Sequence, residues 1–274
     1  MHDSFVSYVK KSFKLIFEKP ILFIPPLFSF LINGLVIMFA MYLVNKGHIS
    51  FASRGIMLLV IIVVALLELF IASGSYNMFK EVVKVGQTSM DDFWLGIKKY
   101  AGRIFLGSLL IGVVVFMAIF ILTFFIAKII PLNFIIAGVL AISGIILWIF
   151  ISLWTTVLVY ENCNLSKAFK TSFSFVKRHF GLILIINLLR GLLTEIKGPN
   201  KNGGRNSLSS NNQMGKSLIL ESYLPINESL GAMGFITLVI LAITTFFTLY
   251  FSLMLFIVYH DRRKGIFTDG LPEN

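Results

Sequence analysis

Cysteine is all but absent from this chain: Cys163 is the single one among 274 residues. One thiol excludes an internal disulfide and leaves nothing from which to build a thiolate metal cluster. Histidine is equally sparse. His2, His48, His179 and His260 are scattered, and none share the HxxxH or HExxH spacing that sets two imidazoles on one helix face. Charge is scarce too, at 14% of residues, and acid is scarcer than base: 13 Asp and Glu against 24 Lys and Arg leave a net charge of +11. No nucleophile–base pair or carboxylate dyad stands out, so the expectation is a non-enzymatic protein with no metal and no cofactor. Gly215-Lys216-Ser217 imitates the end of a phosphate loop, but Ser210 stands where its first glycine belongs and no strand precedes it. Asn164-Leu165-Ser166 and Asn227-Glu228-Ser229 match the glycosylation pattern, which is a weak signal.

What the chain has instead is apolar length. Hydrophobic residues make up 57% of it, and the mean hydropathy is +0.88. The bilayer is the expected solvent. The reading is an all-α polytopic membrane protein, one membrane domain over 1–274, with six spans. These run from Ile21 to Val44, Gly55 to Phe79, Ile104 to Ala127, Phe134 to Val159, Phe180 to Leu193 and Ala232 to Tyr259. The first is too long for the apolar core of a cleaved signal peptide and no A-x-A site follows, so it is expected to be retained. Pro20 should break the helix before it, and Pro25 and Pro26 should bend its start. The fifth span is short, covering only ~20 Å of a ~30 Å hydrocarbon layer. Trp154 and Tyr160 suit an interface belt. Residues 80–88 read as a polar stretch, Pro131 allows only a tight turn, and 195–230 reads as a polar, partly disordered loop outside the cytoplasm.

Three of the spans are led by an amphipathic segment. Phe5, Tyr8, Val9, Ser12, Phe13, Ile16 and Phe17 form the first stripe, with Lys10, Lys11 and Lys14 opposite. Met90, Phe93, Trp94, Ile97, Ala101 and Ile104 form the second, after a Ser89–Asp92 capping box, with Lys98 and Lys99 elsewhere on the surface. Leu165, Ala168, Phe169, Ser172, Phe173, Val176 and Phe180 form the third, capped by Asn164, with Lys167, Lys170, Lys177 and Arg178 opposite. The stripes match in phase, which divides the chain into repeat units 3–80, 89–160 and 164–260. A plainer account is that any cytoplasmic helix before a span tends to be basic and amphipathic. Sixteen Lys and Arg fall on the side of the N-terminus against eight on the other, which places both termini in the cytoplasm. The basic residues flank apolar segments, so the partners they imply are anionic lipids and a protein, not nucleic acid.

The segment Asn164-Leu-Ser-Lys-Ala-Phe-Lys-Thr-Ser-Phe-Ser-Phe-Val-Lys-Arg-His-Phe resembles the recurrent cytoplasmic motif of a broad group of prokaryotic six-span proteins. That group includes the membrane domain fused to some glycerophosphodiester phosphodiesterases. Ser4 to Leu31, with Lys19-Pro20 and Pro25-Pro26, is similar to the same group's N-terminal segment. The resemblance implies a multi-pass fold in a prokaryotic cell membrane and brings no catalytic residues with it.

Inside the spans, Glu68 is the costliest residue, because a carboxylate in hydrocarbon needs a partner, water or a proton. Arg190, with Asn187 one turn earlier, is the one basic residue embedded in a span. A Glu68–Arg190 pair would explain both, the alternative being a protonated Glu68 with Arg190 snorkelling outward from its short helix. Thr237, Thr244, Thr245, Thr248 and Ser252 put hydroxyls along the sixth span, for interhelical hydrogen bonds or for a solute path. Gly107, Gly112, Gly138 and Gly144 read as close-packing sites. The expected role is an accessory or scaffold protein that grips lipid or a partner through its basic amphipathic helices. The alternative is a small-solute or ion-coupled transporter using Glu68 and Arg190.

Overall fold

A computed structural model describes residues 5–45, 51–129, 144, 148–194 and 230–263. Every regular element among the described residues is helical. In chain order they are α1 (Phe5–Glu18), a 3₁₀ turn (Pro20–Phe23), α2 (Ile24–Asn45), α3 (Phe51–Val85), α4 (Met90–Ile129), α5 (Trp154–Glu161), α6 (Leu165–Arg178), α7 (Phe180–Thr194) and α8 (Leu230–Arg262).

The chain breaks where its chemistry demands it. Lys19 leaves helical geometry ahead of Pro20, which has no N–H to continue the ladder. Pro25 and Pro26 then occupy the first turn of α2, where a missing N–H costs nothing, and α2 runs unbroken. Asn164 caps α6 as expected, its Oδ1 accepting from Lys167 N at 2.9 Å. The Ser89–Asp92 box closes as well: Asp92 Oδ2 accepts from Ser89 N at 2.8 Å, and Asp92 N donates to Ser89 Oγ at 3.4 Å.

Four helical segments are long and apolar enough to cross a bilayer: Pro20–Ala40, Gly55–Val85, Met90–Ala118 and Ile236–Arg262. The pair α6 and α7, bent by 101° at His179, makes a fifth if counted as one broken span. Among the described residues the spans therefore number four or five, and six are not confirmed. Most of the predicted fourth span lies outside the described residues; its described end belongs to a short apolar helix, Trp148–Glu161. The predicted loop over 195–230 lies outside them up to residue 229, as do Gly138 and the turn at Pro131.

Two boundaries differ from expectation. Residues 80–85 are not a polar link but the last turns of α3, which is 35 residues long. The second amphipathic segment does not end before its span: α4 is one helix of 40 residues, ~60 Å long. No proline stands between Lys99 and Ile104, and Gly102 alone does not stop a helix. The three leading segments thus share a stripe but not a joint.

Helix α8 is the centre of the packing, touching α1, α2, α3, α5 and α7, while α3 and α4 form the closest pair. Trp154 and Tyr160, predicted at the lipid interface, are core residues: Trp154 stacks on Phe169, and Tyr160 meets Tyr259 edge to face. The third stripe is rotated from its predicted position, with Thr171 and Phe175 buried while Phe173 is exposed. Of the predicted close-packing glycines among the described residues, Gly107 is one, its Cβ position 2.4 Å from the Trp154 ring, while Gly112 and Gly144 face open space. Gly74 and Gly96 do this work between α3 and α4. A Cβ on Gly96 would sit 2.6 Å from Asn77 Cβ and 2.9 Å from the Ser73 carbonyl, which belongs to rigid backbone. Gly96→Ala is expected to lower stability by about 1–3 kcal/mol despite alanine's better helix propensity. Gly102→Ala, with nothing within 4 Å, should not, and melting in detergent distinguishes the two.

Candidate functional site

The polar groups inside the apolar layer converge on one place. Glu68, Ile71, Ala72, Ser75 and Phe79 follow one face of α3 at i, i+3, i+4, i+7 and i+11. Ser29 and Asn33 stand one turn apart on the side of α2 that meets this face, and Thr244, Thr245, Thr248 and Ser252 run along α8 opposite. Between the three helices lies a cavity of about 260 Å³, lined by all these residues together with Pro26, Tyr76 and Leu249.

Glu68 is held by two donors. Ser29 Oγ donates to its Oε2 at 2.7 Å, and Asn33 Nδ2 donates to its Oε1 at 2.8 Å. Both carboxyl oxygens thus accept a hydrogen bond from α2. Asn33 is itself aimed by a second bond, from Nδ2 to the Ser29 carbonyl at 2.9 Å. Among the described residues no Lys or Arg lines the cavity.

The predicted Glu68–Arg190 pair is not formed. Glu68 binds α2, whereas Arg190 and Asn187 lie on α7, which packs on α8 and α6. Asn187 is buried and donates to Ser152 Oγ at 3.0 Å and to the Ile183 carbonyl at 2.9 Å. Arg190 is half-buried on the same helix. The α8 hydroxyls bond within their own helix: Thr244 and Thr245 donate to the Leu241 carbonyl, and Thr248 to that of Thr244. They line a cavity instead of bridging helices. Ser29 and Asn33 escaped the sequence reading, although their i, i+4 spacing in an apolar run was a visible signal.

A second polar cluster gathers at the C-terminal end of α8. The sequence showed it only as a basic run. His260 Nδ1 is hydrogen-bonded to the Tyr160 hydroxyl. Asp261 pairs with Lys11 at 3.2 Å. Arg262 donates to the Tyr8 hydroxyl at 3.2 Å and reaches His179 Nδ1 at 3.4 Å. Arg263 meets Glu161 at 3.0 Å and lies over the Tyr160 ring, which also takes Lys84, 4.3 Å from the centroid. Four consecutive residues thus tie α8 to α1, α5 and the α6–α7 bend. The exposed lysines of the predicted lipid surface stand around this end: Lys10, Lys11, Lys14, Lys98, Lys99, Lys167, Lys170 and Lys177, with Arg178, are all exposed. Lys11 is engaged by Asp261, and Lys14 by Glu18 at 3.6 Å.

The contact between α2 and α3 is testable by double-mutant cycles. Asn33→Ala and Glu68→Gln should couple by on the order of 1 kcal/mol, because the first removes and the second weakens the same contact. Glu68→Gln and Arg190→Met should be additive within error. Melting temperatures of the six proteins in detergent decide it. No family model, curated protein or solved structure matches the chain, so its function has to be read from this cavity and the charged end of α8.

Proposed function

We propose that this is a polytopic membrane protein that holds a cation beside Glu68 and carries it through the bilayer. A carboxylate inside a span is costly unless something compensates it. Ser29 and Asn33 supply hydrogen bonds but no charge, and no cationic side chain among the described residues lines the cavity. The space has room for a guest and its water, since a water occupies about 30 Å³ of liquid. A carboxyl group held by two neutral donors, beside a cavity that no described Lys or Arg lines, is the observation that carries the reading. The apolar stripes of α1 and α6 favour it over a purely docking role. Their central residues, Tyr8, Ser12 and Ile16 on α1 and Ala168, Ser172 and Phe175 on α6, are spent on packing inside the protein.

Pulses of sodium, potassium and methylammonium chloride over adsorbed proteoliposomes provide the test. At least one cation should evoke a protein-dependent current that disappears in Glu68→Gln. Silence with all three in folded wild-type protein would overturn transport.

A second reading concerns the charged end. Phe13, Phe17, Trp94 and Phe173 are exposed on the same helices as the exposed lysines, which suits contact with anionic headgroups. The bonds from Tyr8 and Lys11 to Arg262 and Asp261 put the N-terminal helix and the end of α8 on one side of the protein. The excess of Lys and Arg makes that side cytoplasmic in a prokaryotic cell membrane. Cys163, between α5 and α6, reports on this. An impermeant maleimide should label it in inverted vesicles and not in intact spheroplasts; labelling from outside would reverse the orientation. Burial pushes its thiol above the usual range, so the thiolate is scarce at neutral pH and labelling should accelerate as pH rises.

A further inference from the structure

We propose that the cavity beside Glu68 is a binding site for a small protonated amine, an inference that rests on the cation reading above. The reason lies in where the protons of the wall are already committed. Ser75 donates to the Ile71 carbonyl at 2.7 Å, Thr244 and Thr245 to the Leu241 carbonyl at 3.0 and 2.7 Å, and Thr248 to the Thr244 carbonyl at 2.8 Å. Ser29 gives its proton to Glu68, and both amide hydrogens of Asn33 are used, on Glu68 and on the Ser29 carbonyl. What these groups offer a guest is lone pairs. Tyr76 and Ser252 alone among the lining residues have a hydroxyl proton to spare.

A wall of acceptors around a negative charge selects by chemistry. An anion meets like charge and almost no donors. A sugar or other polyol needs donors as well as acceptors and finds the former missing. A cation with several N–H groups fits, since an ammonium brings three donors and no acceptor. The remaining wall is apolar, from Pro26, Ile71, Phe79 and Leu249, with the Tyr76 ring beside them. A bare metal ion gains nothing from these surfaces. The carbon body of an amine does, through burial of its methylenes and through the attraction between an ammonium and an aromatic face. At about 260 Å³ the cavity suits a short alkyl chain and not a large drug-like molecule.

The experiment uses the full chain in detergent. Its melting temperature is recorded with n-alkylammonium chlorides from methyl to hexyl, with the matching n-alkanols, and with sodium chloride at equal ionic strength. A ligand that binds only the folded state raises the melting temperature with concentration. Alkylammonium should stabilise more than either control, increasingly with chain length until the cavity is full. In Glu68→Gln the apparent affinity should fall about tenfold or more. Ala72→Leu, which fills the cavity and keeps the carboxylate, should abolish the effect, and it carries the test if Glu68→Gln does not fold. Equal stabilisation by sodium chloride, lost in either variant, would overturn the amine assignment and leave the cation reading standing. Equal stabilisation by alkanols would overturn it as mere apolar partition. No stabilisation by any of them would overturn both.

Discussion

Helix α8 has to satisfy two environments along one axis, and the rest of the structure follows from how it does so. From Leu249 to Tyr259 every residue is buried, so this half is enclosed on all sides by other helices. Lipid tails are as apolar as the side chains, so enclosure here is driven by shape and specific contacts more than by expulsion of water. The contacts are largely aromatic: Phe13 against Tyr250, Tyr76 stacked on Phe256, Phe175 against Tyr259. The buried half ends in His260, Asp261, Arg262 and Arg263, whose bonds fix α1, α5 and the α6–α7 bend about it.

The other half of α8 is less enclosed, and the change comes at Thr248 and Leu249. Here α2, α3 and α8 stand apart enough to leave the cavity, and here the hydroxyls and Glu68 are found. The polar groups are placed where the packing leaves space, with their protons turned back onto their own helices. In hydrocarbon a hydroxyl bonded to its own backbone costs little, so these residues fit an apolar helix without distorting it.

Much of this was legible in the sequence, and the failures have physical causes. Apolar runs, the break at Pro20 and the cap at Asn164 are local chemistry, and the structure has them. The absence of a breaker between Lys99 and Ile104 is equally local chemistry, and α4 runs straight through it. Partners are not local. Glu68 was recognised as costly, but an apolar helix carries no record of which neighbour it meets, so Arg190 was matched to it by charge alone. Ser29 and Asn33, short and uncharged, proved to be the partners. Trp154 and Tyr160 show the same limit, since an aromatic residue near a span end serves a lipid boundary or a helix contact equally well, and here both are buried.

One unbroken helix joins the two polar regions. Glu68 and Lys84 are both on α3, ~24 Å apart along an axis with no proline or kink between them. Such a rod behaves as a lever. Tilting it by about 5° at the carboxylate swings its far end by roughly 2 Å. That stroke is enough to part the Lys84 ammonium from the Tyr160 carbonyl, which it meets at 3.1 Å. The carboxyl group beside the cavity and the Lys84–Tyr160 contact are thus two ends of a single rigid element.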